Sequence, residues 1–260
     1  MASNKRTTAA QRKEDFEDST ERSQQHQPRT SNALKIKLDH LRTFTSLTPN
    51  QEKFFEMYRG GGYFIGLWGS PGTGKSFLSV YRAIEEVLNK DTPFKTVVIV
   101  RSAVQTRDVG FLPGSIDEKA EIYELPYKEI CSTLFGRSDA WDRLKEQGYA
   151  RFITTTAFRG ISLDDAIIIV DEAQNCSWGE LSTVISRVGS RSKIMFCGDK
   201  FQNDLVKSRN DVSGLSTFLD VARTMNAYQE VVFTPDDIVR SSLVKDFILA
   251  CHDKGLLPGN

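Results

Sequence analysis

The chain has 260 residues, 39% hydrophobic and 26% charged, a composition suited to one or two globular domains. Its 34 Lys and Arg balance 34 Asp and Glu, so bulk charge announces neither a nucleic-acid nor a membrane partner, and either must be read locally. Four cysteines, at 131, 176, 197 and 251, form no CxxC pair, and no stretch approaches the ~18 apolar residues of a membrane span, which argues against zinc, disulfide, secreted and membrane classes and for reduced thiols in the cytoplasm.

Residues 1–33 set Lys5, Arg6, Arg12, Lys13, Arg22 and Arg29 against Glu14, Asp15, Glu17, Asp18 and Glu21, with Phe16 as the only large apolar group. Such a segment cannot offset its ordering entropy by burial, so it is expected to be a disordered, solvated tail. Residues 34–260 are expected to form a single domain. Thr48-Pro49-Asn50-Gln51 has an N-cap hydroxyl, proline at the first helical position and an amide at N3, which predicts a full capping box and a helix to about Tyr58. Apolar runs follow at 63–68, 96–100, 151–155, 166–170, 193–196 and 231–233, with helical spacing at 77–88, 181–188 and 242–251. The unbroken hydrophobicity of Ile167-Ile168-Ile169-Val170 predicts a strand covered on both faces, and the alternation of elements predicts an α/β fold with a mostly parallel sheet. Trp68 and Trp141 are expected to pack as aromatics, because no basic stripe accompanies them.

Gly69-Ser70-Pro71-Gly72-Thr73-Gly74-Lys75-Ser76 fits GxxxxGK[ST] between a predicted strand and a predicted helix. A chance match in a chain this long has odds on the order of one per cent. The glycines let backbone N–H groups converge on phosphates, the helix start adds positive potential, Lys75 reaches the terminal phosphates, and Ser76 is a Mg²⁺ ligand; Phe77 completes the nucleotide-binding stretch. A second strand ends in Asp171-Glu172-Ala173-Gln174, two carboxylates at the edge where a ligand beside the P-loop would lie. Asp171 would hold Mg²⁺ through water and Glu172 would polarise the attacking water, although adjacent acids after a strand also occur as plain helix starts. A third strand leads into Gly198-Asp199-Lys200-Phe201-Gln202, where Gln202 would sense the γ-phosphate with support from Asp199; a turn without a catalytic role is the alternative.

The P-loop, DEAQ and GDxxQ in this order resemble the first motor domain of superfamily 1 helicases. More closely, Arg101-Ser102-Ala103-Val104, Gly110-Phe111-Leu112-Pro113-Gly114, Arg159-Gly160, Asp171 to Asn175, Ser213-Gly214-Leu215 and Asp237-Ile238-Val239-Arg240 resemble the PhoH-like ATPase family over roughly residues 48–250. The small size resembles phage versions, which would act in the host cytoplasm. The resemblance implies a RecA-like P-loop NTPase core, Mg²⁺-dependent ATP hydrolysis and work on RNA or single-stranded nucleic acid. A P-loop kinase of a small molecule and a slow ATP-gated scaffold are the rival readings. Two departures stand out: Arg101-Ser102 where the family usually has Arg-Pro, and Arg159-Gly160-Ile161 where it has Arg-Gly-Arg. Gln51 stands where these helicases place an adenine-reading glutamine, the favoured role, although its N3 position in the capping box is a complete structural explanation without ATP. Arg240 either neutralises charge on the transferring phosphoryl group or forms a surface salt bridge. Arg101 follows a strand near the expected nucleic-acid face, or is simply exposed. With one RecA-like domain and no facing domain, a homo-oligomer is expected, a hexameric ring by analogy, in which Arg240 reaches a neighbour's nucleotide.

Overall fold

Among the described residues six strands form one sheet in which every pairing is parallel. The structure, a computed structural model, describes residues 35–102, 116–158, 162–199 and 214–254. All of the elements below belong to the unit Ile36–Asn260. In chain order they are α1 (Pro49–Arg59), β1 (Phe64–Gly69), α2 (Lys75–Leu88), β2 (Thr96–Arg101), α3 (Ile116–Phe135), α4 (Ala140–Glu146), β3 (Ala150–Thr154), β4 (Ala166–Asp171), α5 (Trp178–Ile185), β5 (Lys193–Gly198), α6 (Gly214–Ala222), β6 (Tyr228–Phe233) and α7 (Ser242–Asp253). The strand order is β3-β2-β4-β5-β1-β6.

Parallel strands are joined by crossovers that lay helices on the sheet, so the central strands lose solvent on both faces. All residues of β1 and β4 are buried, as the unbroken apolar runs predicted. Alternate residues feed two separate cores. Ile65, Leu67, Ile99, Ile167, Ile169 and Met195 pack with residues of α1, α2, α3 and α4, whereas Phe64, Trp68, Val98, Ile168, Val170 and Phe196 pack with residues of α5 and α6. Trp68 and Trp141 are both core residues, as expected, and each indole N–H finds a partner, Tyr228 Oη at 2.7 Å and Glu124 Oε2 at 2.6 Å.

The strands predicted from apolar runs are all present, most of them longer than the runs. β6 begins at Tyr228 rather than Val231, and β4 and β5 continue through Asp171 and Gly198, because ladder pairing does not stop where hydrophobicity does. Three helices, α3, α4 and α6, have no counterpart in the sequence expectations. Pro126 lies inside α3, where its missing N–H and the preceding-residue clash normally end a helical pattern. The capping box at Thr48 needs correction. Thr48 Oγ1 accepts from Gln51 N at 3.4 Å, but the Gln51 amide does not return to the cap; its Oε1 accepts from Leu47 N at 2.8 Å and its Nε2 donates to Thr73 O at 3.1 Å.

Candidate nucleotide site

Arg101, Asp171 and Glu172 stand at or just past the carboxyl ends of β2 and β4, and the P-loop leaves the sheet at the carboxyl end of β1. β1 ends at Gly69 with φ +125°, and a Cβ there would lie 1.9 Å from the Phe233 carbonyl oxygen of β6, so only glycine lets the chain leave the sheet at this point. The loop returns at Gly74, φ +87°, which caps α2 without a side chain. The first-turn N–H groups of α2 therefore have neither an intrahelical nor a capping partner, the arrangement that attracts anions. Lys75 Nζ folds back over the loop, donating to Gly69 O at 2.8 Å and Ser70 O at 2.7 Å. Burial pulls its pKa below the ordinary lysine value, while Asp199, Glu172 and Asp171 act in the opposite direction.

Ser76, next on α2, donates through Oγ to Asp171 Oδ1 at 2.7 Å, a contact joining residues 95 apart in sequence. Tyr127 of α3 donates to the other oxygen, Oδ2, at 2.8 Å. Burial, followed by the Asp171 charge, lifts the Tyr127 pKa well above the usual phenol value, so it remains a donor. Glu172 follows Asp171 with φ +53° and ψ 43°, the left-handed region, which costs a non-glycine residue about 1–2 kcal/mol. That turn leaves the side chain of Glu172 40% exposed in the cleft while Asp171 is buried. Gln174 Nε2 donates to Glu172 Oε2 at 2.6 Å and Gln174 Oε1 accepts from Asp199 N at 3.1 Å, so one buried amide ties the two acidic turns together.

These groups surround a cleft of about 580 Å³, within the size range of small-molecule sites. Pro71, Gly72, Gly74, Lys75, Ser76 and Phe77 line one wall, with Asp171, Glu172 and Asp199 across from them. Arg240 closes an edge: Val239 N donates to Gly72 O at 3.1 Å, and the Arg240 side chain passes 3.0 Å from where a Gly72 Cβ would stand. Arg240 therefore lies on the P-loop of its own chain. Asp237 fixes this segment by accepting from Asn50 Nδ2 at 2.7 Å and Thr234 N at 2.9 Å.

Gly69, Ser70 and Thr73 support the loop from behind, and the buried Gln51 sits with them, both ends of its amide engaged by main chain. Gln202 lies outside the described residues, as do Arg159, Gly160, Ile161, the Gly110 to Gly114 motif and the tail at 1–33. Arg101 ends its strand, as expected, and faces the cleft. At the end of β2 it pairs in register with Asp171, lines the cleft, sits 4.0 Å from Glu172 Oε1 and lies over the Tyr123 ring at 5.9 Å. Its strand-terminal position next to β4 was hidden in sequence, since strand order is not readable from chain order. Tyr127 and the bridging role of Gln174 were missed for the same reason: nothing local to either residue names its distant partner.

The donor set suits a nucleoside phosphate with a hard divalent cation. A hydroxyl and a carboxylate oxygen meet at Ser76 and Asp171, oxygen ligands of the kind Mg²⁺ takes, beside uncapped helix N–H groups and an ammonium. A glycine-rich loop from the first strand to a Lys-Ser helix start, opposed by an acid ending a parallel strand, defines a RecA-like P-loop NTPase fold. The family model described as PhoH-like protein matches residues 43–252, and the chain belongs to this family. A PhoH-like protein of Bacillus subtilis is 33% identical over 72% of this chain and 57% of its own length. Protein PhoH of Escherichia coli K12 is 32% identical over 67% of this chain and 49% of its own, and a Mycobacterium leprae PhoH-like protein is 28% identical over 86% and 64%. The chain thus spans from about half to under two thirds of these relatives. Among solved structures, the Pif1 helicase from Candida albicans aligns over 74% of this chain and 40% of its own at 16% identity with a TM-score of 0.35, too low to carry an inference. Among the described residues no helix is long and apolar enough to cross a membrane.

Proposed function

We propose that this chain hydrolyses ATP in the cleft between the P-loop and the ends of β4 and β5, and that it couples turnover to RNA or single-stranded nucleic acid. The observation that carries the ATPase half is the meeting of Ser76 with Asp171 beside a Glu172 turned outward by a left-handed backbone. Lys75 would exchange its loop carbonyls for phosphate oxygens, a trade favoured because burial makes an uncompensated ammonium costly. Mg²⁺, held through Ser76 and Asp171, would neutralise phosphate charge. Glu172 accepts a proton or a hydrogen bond from the attacking water, with Gln174 holding its other oxygen. In this reading Gln202 senses the γ-phosphate.

Gln51, in the same reading, serves the nucleotide indirectly by tying α1 to the P-loop through Thr73 O. Arg240 would neutralise charge on the transferring phosphoryl group. Its position against Gly72 supports action within its own chain. A head-to-tail ring, hexameric by analogy, is the competing arrangement, and it predicts that Arg240→Ala and Lys75→Ala subunits regain activity when mixed. No regain after proven co-assembly favours action in cis.

The nucleic-acid half rests on family membership. It is tested by steady-state ATP turnover with a panel of RNAs, single-stranded DNA and no polymer. Stimulation by one class of polymer supports the coupling. Phosphate transfer to a metabolite without free phosphate would replace hydrolysis with a kinase reaction. Turnover that is equally slow with every polymer points to a gated scaffold.

A further inference from the structure

Asp171 has each of its carboxylate oxygens held by a different donor. Ser76 reaches Oδ1 from the P-loop helix, and Tyr127 reaches Oδ2 from α3. Tyr127 is fully buried, with its ring 6.0 Å from that of Trp141 and 5.9 Å from that of Phe152. Trp141 is in turn anchored through its N–H to Glu124, which precedes Tyr127 on the same helix. The phenol therefore cannot turn to a new acceptor without leaving its packing. A phenylalanine would fill the same space with no hydroxyl to desolvate, so a tyrosine here needs a partner, and its partner is the acid opposite Ser76.

A carboxylate turns easily about its last torsion, which is broad and roughly two-fold. Ser76 alone would hold only one of the two Asp171 oxygens, leaving the carboxylate free to turn about that single bond. A second donor on the far oxygen removes that freedom. We propose that Tyr127 is a positioning residue whose hydroxyl fixes the Asp171 carboxylate so that Oδ1 stays directed toward Ser76 and the divalent ion. This inference rests on the ATPase reading above. Outer hydrogen bonds to metal-binding groups are typically worth about 10–100-fold in metal affinity, and the same range is expected here.

The test is Tyr127→Phe in the full chain, which keeps the ring contacts. Binding of a fluorescent ATP analogue and ATP turnover are both titrated with Mg²⁺. The Mg²⁺ concentration for half-maximal effect is expected to rise about tenfold in both assays, with excess Mg²⁺ restoring most of kcat. Analogue affinity in EDTA should stay unchanged, which a general loss of structure would not allow. In an Asp171→Asn background the analogue-binding titration should show no further effect of Tyr127→Phe. Wild-type Mg²⁺ dependence in a folded Phe variant overturns the proposal, and so does an equal further effect of Tyr127→Phe in the Asp171→Asn background. A wild type that binds nucleotide without any response to Mg²⁺ defeats the ATPase reading itself.

Discussion

Strand β4 has an acid in the left-handed region at each end. Asp165 precedes it and Glu172 follows it, both with φ +53°, yet the two are used in opposite ways. Asp165 is saturated: Lys95 Nζ lies 2.6 Å from Oδ2 and Arg191 Nε 2.6 Å from Oδ1, while its backbone bonds to Ser190 and Lys95. The hydrogen bond from Lys95 leads in pulling its pKa below the ordinary aspartate value. Among the described residues Glu172 has one close partner, the Gln174 amide, a distant guanidinium at Arg101, and an open cleft. The same backbone conformation is spent on closing the amino edge of the sheet and on exposing a carboxylate at the carboxyl edge. Unusual φ alone therefore does not mark function; the number of partners left to the side chain does.

The largest expected effects lie at the open end. Lys75→Ala should abolish ATP binding in calorimetry, since it removes the only lysine that lines the cleft among the described residues. Glu172→Gln should keep binding and lose turnover by roughly 10²-fold or more, because it removes the basic oxygen while keeping the shape. Unimpaired hydrolysis by that variant would make Glu172 no different in kind from Asp165. Gln174→Ala comes next. It frees Glu172 and removes the amide oxygen that accepts from Asp199 N, so kcat should fall about tenfold with ATP affinity little changed. An effect on affinity alone would assign Gln174 to loop packing.

At the closed end, Asp165→Asn should leave kcat and KM for ATP unchanged while lowering the melting temperature at pH 7. Because folding depresses the Asp165 pKa, its contribution is present above the unfolded value near ~3.9 and is lost as pH falls through the lower folded value. The acid limb of stability should accordingly be shallower in the variant than in the wild type. An altered kcat would break the division between the two ends. The smallest effect is expected at Gln51, which lies by the open end but is saturated like Asp165. Gln51→Ala should cost about 1 kcal/mol of stability and weaken ATP and GTP equally. A selective rise in the KM for ATP would restore it as an adenine reader.

Much of this was legible without coordinates wherever chemistry and local pattern coincide. The P-loop is contiguous, its glycines, lysine and serine are consecutive, and its strand and helix flank it, so one window of sequence carries both geometry and role. Asp171-Glu172 was legible for the same reason, at the end of an unbroken apolar strand. Helix α3 was not, since Pro126 interrupts the pattern that would have announced it. Gln51 was half legible: the cap at Thr48 is local, whereas the bond from its amide to Thr73 O joins residues 22 apart. The place of Arg101 beside Asp171 was not legible, because its neighbour across the sheet comes from a strand 70 residues later.

The amino-acid sequence by itself determined that this is an α/β protein with a phosphate-binding loop, because both follow from interactions within a few residues: apolar periodicity, turn chemistry and uncapped helix N–H groups. Tertiary structure decided which acid meets Ser76, which amide steadies Glu172, which tyrosine holds Asp171 and that Arg240 lies beside Gly72. Those pairings depend on strand order, β3-β2-β4-β5-β1-β6, and parallel strands joined by long crossovers can be ordered in several ways at nearly equal local energy. Only the packing of both sheet faces at once selects one of them.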